Sequence, residues 1–575
     1  MKAQLLSRAL IGERTWPWIL DASVFAIGLA AVYAVLVVTR YWFSAAVPQA
    51  EISRSPSALP LYAFYSVVRL FVAYFLSLIF AIGYGYVAAY STRFQGVMLA
   101  VLDILQSIPV LSFLPGVMLA MVSLFPSRQL GLELGSIVLI FTGQVWNMAF
   151  SFYASLKAIP RELREASRIY GYSRWQSFVE LELPYGAIGL VWNSMVSVAG
   201  GWFFLMACEM FVLGKRDFRL PGLGSYLQSA ASDGDTIAIL WGLAAMIGVI
   251  VLIDQFLWRP AIAWADKFKV EQTGSGSAPD SFVLSLLRRS PLLARIGSSL
   301  IQPASERIQL HFASHRPEKG LANPSRARNA WSIAAALVLL ALAGYALFQT
   351  CVALRALNRS EVLVTAESAG VTFARVMAAL AIASIWTIPA GVAIGSNPRL
   401  ARVVQPLAQI AASVPATALF PVLLLALLSA GGGLGTGSVL LMLLGTQWYI
   451  LFNVVAGAMA IPSDLRQVAD VFHFGRMERW KTVILPGIFP YLITGLVTAS
   501  GGAWNASIVA EYFHFKGRVL ATFGLGAQIS SATDSGNFSL LLLSTIVMAA
   551  LVVCINRLLW RPLYRLAESK YRLEG

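Results

Sequence analysis

Twelve long apolar runs dominate this 575-residue sequence. Each is long enough for an α-helix to cross about 30 Å of hydrocarbon at about 1.5 Å per residue. The runs lie near residues 18–40, 62–90, 98–124, 134–158, 186–212, 236–258, 331–353, 371–394, 403–429, 436–460, 488–512 and 537–559. Only 12% of the residues are charged, which is too few to cover a soluble globule. The sequence therefore predicts an all-α polytopic membrane protein with about twelve transmembrane helices.

The second half of the chain repeats the first. From about Gly135 onwards the two halves align without a gap, and Glu209 matches Glu511. Upstream of the loop between the third and fourth spans the offset is four residues larger, which pairs Arg69 with Arg375. Because each half contains an even number of spans, both halves insert the same way round, as a parallel six-helix repeat.

The repeat predicts three segments. A first domain covers 1–260, a polar basic linker covers 261–328, and a second domain covers 329–575. Lys and Arg are concentrated in alternate connecting segments, which the positive-inside rule places in the cytoplasm together with both termini. This orientation accounts for the net charge of +15, so nucleic-acid binding is not expected. The linker is expected to be a tether, with lipid binding or regulation as the alternative.

The sequence carries no recognisable catalytic or metal site. It contains no phosphate-binding loop and no nucleophile–base arrangement, and its four histidines are isolated. The expectation is therefore no catalytic residue, no metal and no cofactor on this chain. Work across a membrane would then be driven either by an ion gradient or by a separate ATPase.

Two charged, amphipathic islands interrupt the apolar pattern at equivalent places. They are residues 161–184 and 463–486, and each ends in Leu-Pro before the next apolar run. We name them the first and second coupling loops. A polar segment of this kind, repeated in so apolar a chain, predicts a docking surface for a partner outside the membrane.

The first coupling loop has the spacing of a known signature. Glu165 and Ala166 are followed at the expected distances by Gly171 and Pro184. This pattern is similar to the EAA signature of permease subunits of ATP-binding-cassette (ABC) importers. The resemblance implies that each loop forms a coupling helix that fits a groove in one of two ABC ATPase subunits, which carry the ATP and Mg. It also implies a bacterial-type plasma (inner) membrane location.

The second coupling loop is a degenerate copy. Gln467, Val468 and Ala469 stand at the Glu-Ala-Ala positions, His473 stands at the glycine, and Pro486 closes the motif. A histidine adopts a positive φ less readily than glycine does. The sequence therefore predicts a different bend in the second loop and unequal coupling to the two ATPase subunits, with the first loop more sensitive to mutation.

Further motifs resemble one subfamily. Glu209 and Glu511 each precede a Gly-Leu-Gly motif, and prolines recur at matched positions in the third spans. These features are similar to the nitrate/sulfonate/bicarbonate/taurine-type permeases. The resemblance covers both six-helix units but not the linker. It implies import of a small anion delivered by a soluble extracytoplasmic binding protein.

Twelve residues at membrane depth are candidates for the translocation pathway, because helix-breaking prolines and polar side chains in lipid tend to face a protein interior or a cavity. They are Pro109, Pro115, Gln144, Asn193, Trp202, Glu209, Pro415, Pro421, Gln447, Trp504, Asn505 and Glu511. Packing between helices is the alternative for each of them. For Glu209 and Glu511 the alternative to a gate is a structural pair with Arg69 or Arg375.

The sequence thus favours the permease of an ATP-driven importer. A gradient-driven secondary transporter with two six-helix halves is the alternative, since that architecture also joins two parallel halves through a cytoplasmic linker. A scaffold or signalling subunit that transports nothing is a third reading. The polar loops after the fourth spans favour the permease.

Overall fold

The structure is a computed structural model, and it describes residues 37–44, 51–91, 94–126, 129–213, 216–268, 347–515 and 518–570, with scattered single positions elsewhere. The predicted first spans of the two halves, 18–40 and 331–353, lie mostly outside the described residues, as does most of the predicted linker. Within the described residues, eight helices are long and apolar enough to cross a membrane.

Among its described residues from 51 onwards, the first half contains ten α-helices and one hairpin, and residues 37–42 before them are also helical. They are α1 (Leu59–Tyr90), α2 (Gln95–Ser107), α3 (Leu114–Leu124), α4 (Leu130–Ala158), α5 (Arg161–Ile169), α6 (Arg174–Ser177), α7 (Leu183–Glu209), β1 (Val212–Leu213), β2 (Arg216–Asp217), α8 (Leu223–Asp233), α9 (Thr236–Ile253) and α10 (Arg259–Ala265). Strands β1 and β2 pair antiparallel.

The second half follows the same order. Its elements are α11 (Arg359–Ser396), α12 (Pro398–Ser413), α13 (Ala416–Ser429), α14 (Leu434–Ala460), α15 (Ser463–Val471), α16 (Arg476–Arg479), α17 (Leu485–Ala510), β3 (Tyr512–Phe515), β4 (Arg518–Ala521), α18 (Leu525–Ser535), α19 (Phe538–Ile555) and α20 (Arg561–Lys570). Strands β3 and β4 also pair antiparallel. The predicted fold class, an all-α polytopic membrane protein built from two repeats, is confirmed.

The third span of each half is divided into two helices. Pro109 separates α2 from α3, with a 3₁₀ turn at Val110–Phe113, and Pro415 separates α12 from α13. A proline has no N–H to donate and its ring clashes with the preceding helical turn. The continuous runs at 98–124 and 403–429 therefore fold as broken helices.

Two short helices and two hairpins were not predicted from hydropathy. Helices α8 and α18 end at Gly234 and Gly536, whose φ values of 72° and 70° lie in the left-handed region that glycine favours. The next residues, Asp235 and Asn537, then cap α9 and α19 by accepting hydrogen bonds from backbone N–H groups. These elements are too short or too polar to register as spans.

Each half also contains two five-residue π-helical turns, placed in the same way. The turns are 178–182, 254–258, 480–484 and 556–560, and each is followed after one residue by a proline. In the first turn, the Leu183 N–H donates to the Phe178 carbonyl five residues earlier. The wider turn spares the proline ring the clash that it would make in α-helical geometry.

The long helices pack around α4 in the first half and α14 in the second. Helix α4 contacts α1 and α7, and α14 contacts α11 and α17. One apolar core runs through both halves, with Trp202 and Trp504 almost fully buried in it. We call the end that carries the coupling loops the loop end, and the end that carries strands β1–β4 the hairpin end.

Candidate functional site

The first coupling loop is a helix–turn–helix that projects from the loop end. Helix α5 stops where Gly171 adopts a φ of 69°. Helix α6 then starts with a capping box, in which Ser173 and Gln176 exchange hydrogen bonds of 3.2 and 2.9 Å. Glu165 is exposed on α5 and Ala166 is half-buried beneath it. Glu165, Ala166 and Gly171 therefore lie on one accessible element, whereas the fourth signature residue, Pro184, lies in the first turn of α7.

The second coupling loop bends in the same way as the first. His473 has a φ of 51°, in the region that Gly171 occupies in the other half. The predicted difference in bend is therefore wrong. The His473 N–H donates to the Asp470 carbonyl at 3.1 Å, and the Phe474 N–H donates to the Ala469 carbonyl at 2.9 Å. These hydrogen bonds accompany a conformation that L-residues reach at a cost of about 1–2 kcal/mol.

The strain at His473 makes a testable prediction. We expect His473→Val to loosen residues 463–479, because a β-branched residue fits a positive φ poorly. A loss of about 1 kcal/mol corresponds to amide hydrogen exchange that is about fivefold faster. His473→Gly is the control and should exchange no faster than the native loop. Equal exchange in the native and valine chains would show that the turn is not strained.

The tips of both coupling loops expose apolar side chains that sequence reasoning did not single out. Ile169 and Tyr170 are 84% and 78% exposed, and their repeat partners Val471 and Phe472 are 74% and 69% exposed. Large apolar side chains that point into water at matched positions are typical of a surface that another protein covers. In the sequence, the Ile-Tyr pair directly before a glycine in a polar loop was the signal that could have predicted this exposed apolar surface.

At the hairpin end of the first half, a buried charged cluster joins three long helices. Arg69 of α1 donates from Nε and Nη2 to both oxygens of Glu133 of α4, at 2.6 and 2.7 Å. Its Nη1 donates to Glu209, the last residue of α7, at 2.8 Å. All three side chains are at most 1% exposed. The pair of Arg69 with Glu209 that the sequence offered as one alternative is present.

Glu209 also holds the start of α8. Its Oε2 accepts the Gly224 N–H at 2.7 Å, while Ser66 accepts the Leu223 N–H at 2.9 Å and donates to Glu209 Oε1. A Cβ built on Gly222 would lie 2.3 Å from the carboxylate. The Gly-Leu-Gly motif therefore lets backbone donors reach a buried carboxylate at a helix N-terminus.

The second half repeats this arrangement with one carboxylate fewer. Glu511 accepts the Gly526 N–H at 2.9 Å, a hydrogen bond from Thr372 at 2.9 Å and one from Arg375 Nη1 at 2.9 Å. Gly435 occupies the position of Glu133. The second cluster thus pairs one guanidinium with one carboxylate, whereas the first cluster pairs one guanidinium with two carboxylates.

The broken third span of the first half is hydrogen-bonded to the second half. The Leu111 N–H donates to Asn505 Oδ1 at 3.4 Å, and Thr545 Oγ1 donates to the Ser112 carbonyl at 3.1 Å. Backbone groups freed by a break in a membrane helix need such partners. Asn505, predicted as a pathway residue, therefore lies at the contact between the halves.

A cavity of about 510 Å³ lies between the halves at the hairpin end. Each hairpin contacts the short helix of the other half, β1 with α18 and β3 with α8. Apolar side chains form much of the lining, among them Leu111, Leu114, Met210, Ile508, Phe513 and Ile529. Polar lining comes from Arg219, Gln228, Ser232, Tyr512, His514, Ser530, Thr533 and Asp534.

The predicted pathway residues are distributed between this cavity and the packed interior. Of the twelve, Pro115 lines the cavity, and Glu209 and Glu511 hold its short helices. The buried members packed between helices are Gln144, Trp202, Gln447 and Trp504, together with Pro109, Pro415 and Pro421 at or near the helix breaks. Asn193 donates to Ser151 at 3.0 Å and so joins α7 to α4. A role of these residues in transport stays a prediction.

Comparison with known families decides the identity of this fold. The profile of the family described as "Binding-protein-dependent transport system inner membrane component" matches residues 73–257 and again residues 387–563. The two matches cover well over half of the chain. The chain belongs to this family. The predicted membership of the importer permeases, with two permease domains fused in one chain, is confirmed.

Individual members of the permease family show moderate identity. The nitrate import permease protein NrtB of Leptolyngbya laminosa is 28% identical over 184 residues, which cover 32% of this chain and 62% of NrtB. The bicarbonate transport system permease protein CmpB of Synechococcus elongatus is 28% identical over 183 residues, or 32% and 63% of the two chains. The taurine transport system permease protein TauC of Escherichia coli is 29% identical over 180 residues, or 31% and 59%. These matches span less than two thirds of each relative.

Membership of the permease family makes the chain a multi-pass inner membrane protein and favours the permease over the gradient-driven alternative. Among the residues that the structure describes, no group of three His, Cys, Asp or Glu side chains could hold a metal ion.

Proposed function

We propose that this chain forms the complete translocation pathway of an ATP-driven importer, with both permease halves supplied by one polypeptide. Two separate ABC ATPase subunits bind the coupling loops from the cytoplasm and carry the ATP and Mg. The loop end and both chain termini face the cytoplasm, and the hairpin end faces outward. Residues 1–260 and 329–575 are the two domains, and 261–328 is the cytoplasmic linker between them.

The matched coupling loops carry this proposal. Two helix–turn–helix elements with the same left-handed turn project from the same end of the two halves. Each presents exposed apolar side chains beside charged ones, which suits a groove in a soluble partner. Closure of the two ATPase subunits on ATP would move both loops together and swing the halves between inward-facing and outward-facing states.

The solute in this proposal is a small organic or inorganic anion, delivered by a soluble extracytoplasmic binding protein. The names of the relatives, which specify nitrate, bicarbonate and taurine, support a small solute that carries an anionic group. The cavity at the hairpin end supports an entry site between the halves on the outward side.

The proposal is tested with the purified chain reconstituted into lipid vesicles together with its two ATPase subunits. We expect accumulation of a radiolabelled solute to require ATP on the ATPase side and to stop when the ATPase carries a hydrolysis-deficient substitution. Uptake that continues without any ATPase, driven by an ion gradient, would favour the secondary transporter. ATP hydrolysis with no accumulation of any tested solute would favour a subunit that transports nothing.

A further inference from the structure

The cavity at the hairpin end is chemically asymmetric, although the fold around it is repeated. The second half contributes Tyr512, His514 and Asp534. The equivalent residues of the first half are Met210, Val212 and Ser232. The first half contributes Arg219 instead, and Ala521 occupies the equivalent position in the second half. Each half therefore brings one full charge to the cavity, and the two charges have opposite signs.

Asp534 is the negative group. The Tyr512 hydroxyl donates to its Oδ2 at 2.7 Å, and His514 Nε2 lies 3.3 Å from the same oxygen. Burial raises the pKa of Tyr512, so the phenol stays a neutral donor. Both contacts use Oδ2, and the Asp534 side chain keeps 29% of its surface exposed. The carboxylate is thus positioned by its neighbours while it remains accessible.

Arg219 is the positive group. Its backbone N–H and its Nε both donate to Asp217 Oδ1, at 2.9 and 3.0 Å, and its Nη2 contacts Asp217 Oδ2. These hydrogen bonds raise the pKa of the guanidinium, which therefore stays protonated. None of them uses Nη1, and the side chain is 30% exposed. Arg219 is fixed at its base by Asp217 and can still donate to a bound group.

Apolar side chains of both halves line the cavity, but the third spans of the two halves contribute to it unequally. Leu114 and Pro115 line the cavity in the first half, but the residue equivalent to Leu114 is Phe420. Phe420 is fully buried and packs edge-to-face on Phe513, with ring centroids 4.7 Å apart. In the second half, Phe420 thus fills the space that Leu114 leaves open in the first half.

We propose that this cavity binds a small zwitterionic organic solute, with its ammonium group at Asp534, its anionic group at Arg219 and its carbon chain against the apolar wall. The proposal rests on the proposed importer function, and it specifies that the anionic group of the solute is accompanied by an ammonium group. An inorganic anion fits less well, because Arg219 is already paired with Asp217 and Asp534 adds a like charge. It would also leave the apolar lining without contacts.

The test measures binding to the full chain in lipid nanodiscs, without ATPase subunits. The native cysteines Cys208, Cys351 and Cys554 are replaced, and Ser232→Cys places one thiol in the cavity lining. The rate of maleimide labelling at position 232 is then followed with taurine, with ethanesulfonate, which lacks the ammonium group, with ethylamine, which lacks the sulfonate, and with nitrate. We expect taurine to slow labelling at a concentration about tenfold lower than the other three probes.

Variants on the two halves sharpen this test. Asp534→Asn and Arg219→Gln should each raise the protective taurine concentration about tenfold, whereas Asp534→Glu should raise it less. Asp233→Asn is the matched control, since Asp233 lies at the end of α8 and pairs with Arg54 away from the cavity lining. All variants are compared at equal elution volume in size-exclusion chromatography, which excludes misfolding.

Three outcomes overturn the proposal. Equal protection by ethanesulfonate or nitrate would show an anion site without an ammonium contact, and equal protection by ethylamine would show a cation site. No protection by any probe would show that the cavity does not bind solutes of this kind. The labelling assay needs no ATP, so its result is independent of vesicle uptake. A chain that binds taurine here yet accumulates it without an ATPase would refute the importer while the binding site stands.

Discussion

The Arg69→Met variant is expected to lose about 3–5 kcal/mol of stability, the usual effect of removing one partner from a buried ion pair. Without the guanidinium, Glu133 and Glu209 would remain buried among three helices with no cation beside them. The start of α8 would also lose a fixed carboxylate. Measurement of the melting temperature in detergent, by the loss of the monodisperse peak, should show a large decrease.

Two companion variants separate the charge from the packing. Arg375→Met should lower the melting temperature less, because Arg375 faces one carboxylate and is 14% exposed. Combining Arg69→Met with Glu133→Gln and Glu209→Gln should recover much of the loss, since no buried charge then remains unpaired. A melting temperature for Arg69→Met equal to that of the native chain would contradict the structural role of the cluster.

The second large effect is expected at the first coupling loop. Glu165→Arg combined with Gly171→Arg should reduce the recovery of co-expressed ATPase subunits with the chain at least about tenfold, equivalent to about 1.4 kcal/mol of binding. The first change reverses an exposed charge, and the second forces a long side chain into a positive φ at the turn. The quantity measured is the ATPase-to-permease ratio after affinity purification.

The repeat supplies matched controls for this loop. Gln467→Arg combined with His473→Arg should reduce ATPase recovery less, because no carboxylate is reversed and the turn already holds a side chain. Gly171→His copies the residue of the second loop and should retain most of the recovery. Equal losses from the two double substitutions would contradict the expectation that the loops couple unequally.

Hydropathy and the repeat predicted the fold class, and the motif spacing predicted the family. Most long helices follow directly from the length of their apolar runs, since the hydrocarbon thickness leaves few alternatives. The breaks at Pro109 and Pro415 follow from the missing proline N–H, and the contact of Arg69 with Glu209 follows from the cost of an unpaired charge in lipid.

Contacts between residues that lie far apart in the chain could not be predicted from the sequence. The conformation of His473 depends on how the flanking helices pack, and intrinsic preference alone predicted the opposite. The role of Gly222 depends on a carboxylate thirteen positions away along the chain. Glu133 gave no signal because it lies just before the predicted span at 134–158. The cavity arises where hairpins and short helices of both halves meet, so neither half alone encodes it.

Each π-helical turn sets how far the element before it is rotated about the helix axis relative to the element after it. An α-helix advances by about 100° per residue, so the extra residue in the turn at 178–182 rotates the first coupling loop by about that angle relative to the face that α7 buries. The turn at 480–484 does the same for the second loop. Deleting one residue from either turn would rotate a single loop while the membrane helices kept their positions. The extra residue in each of these two turns therefore fixes the direction in which that half presents its docking surface.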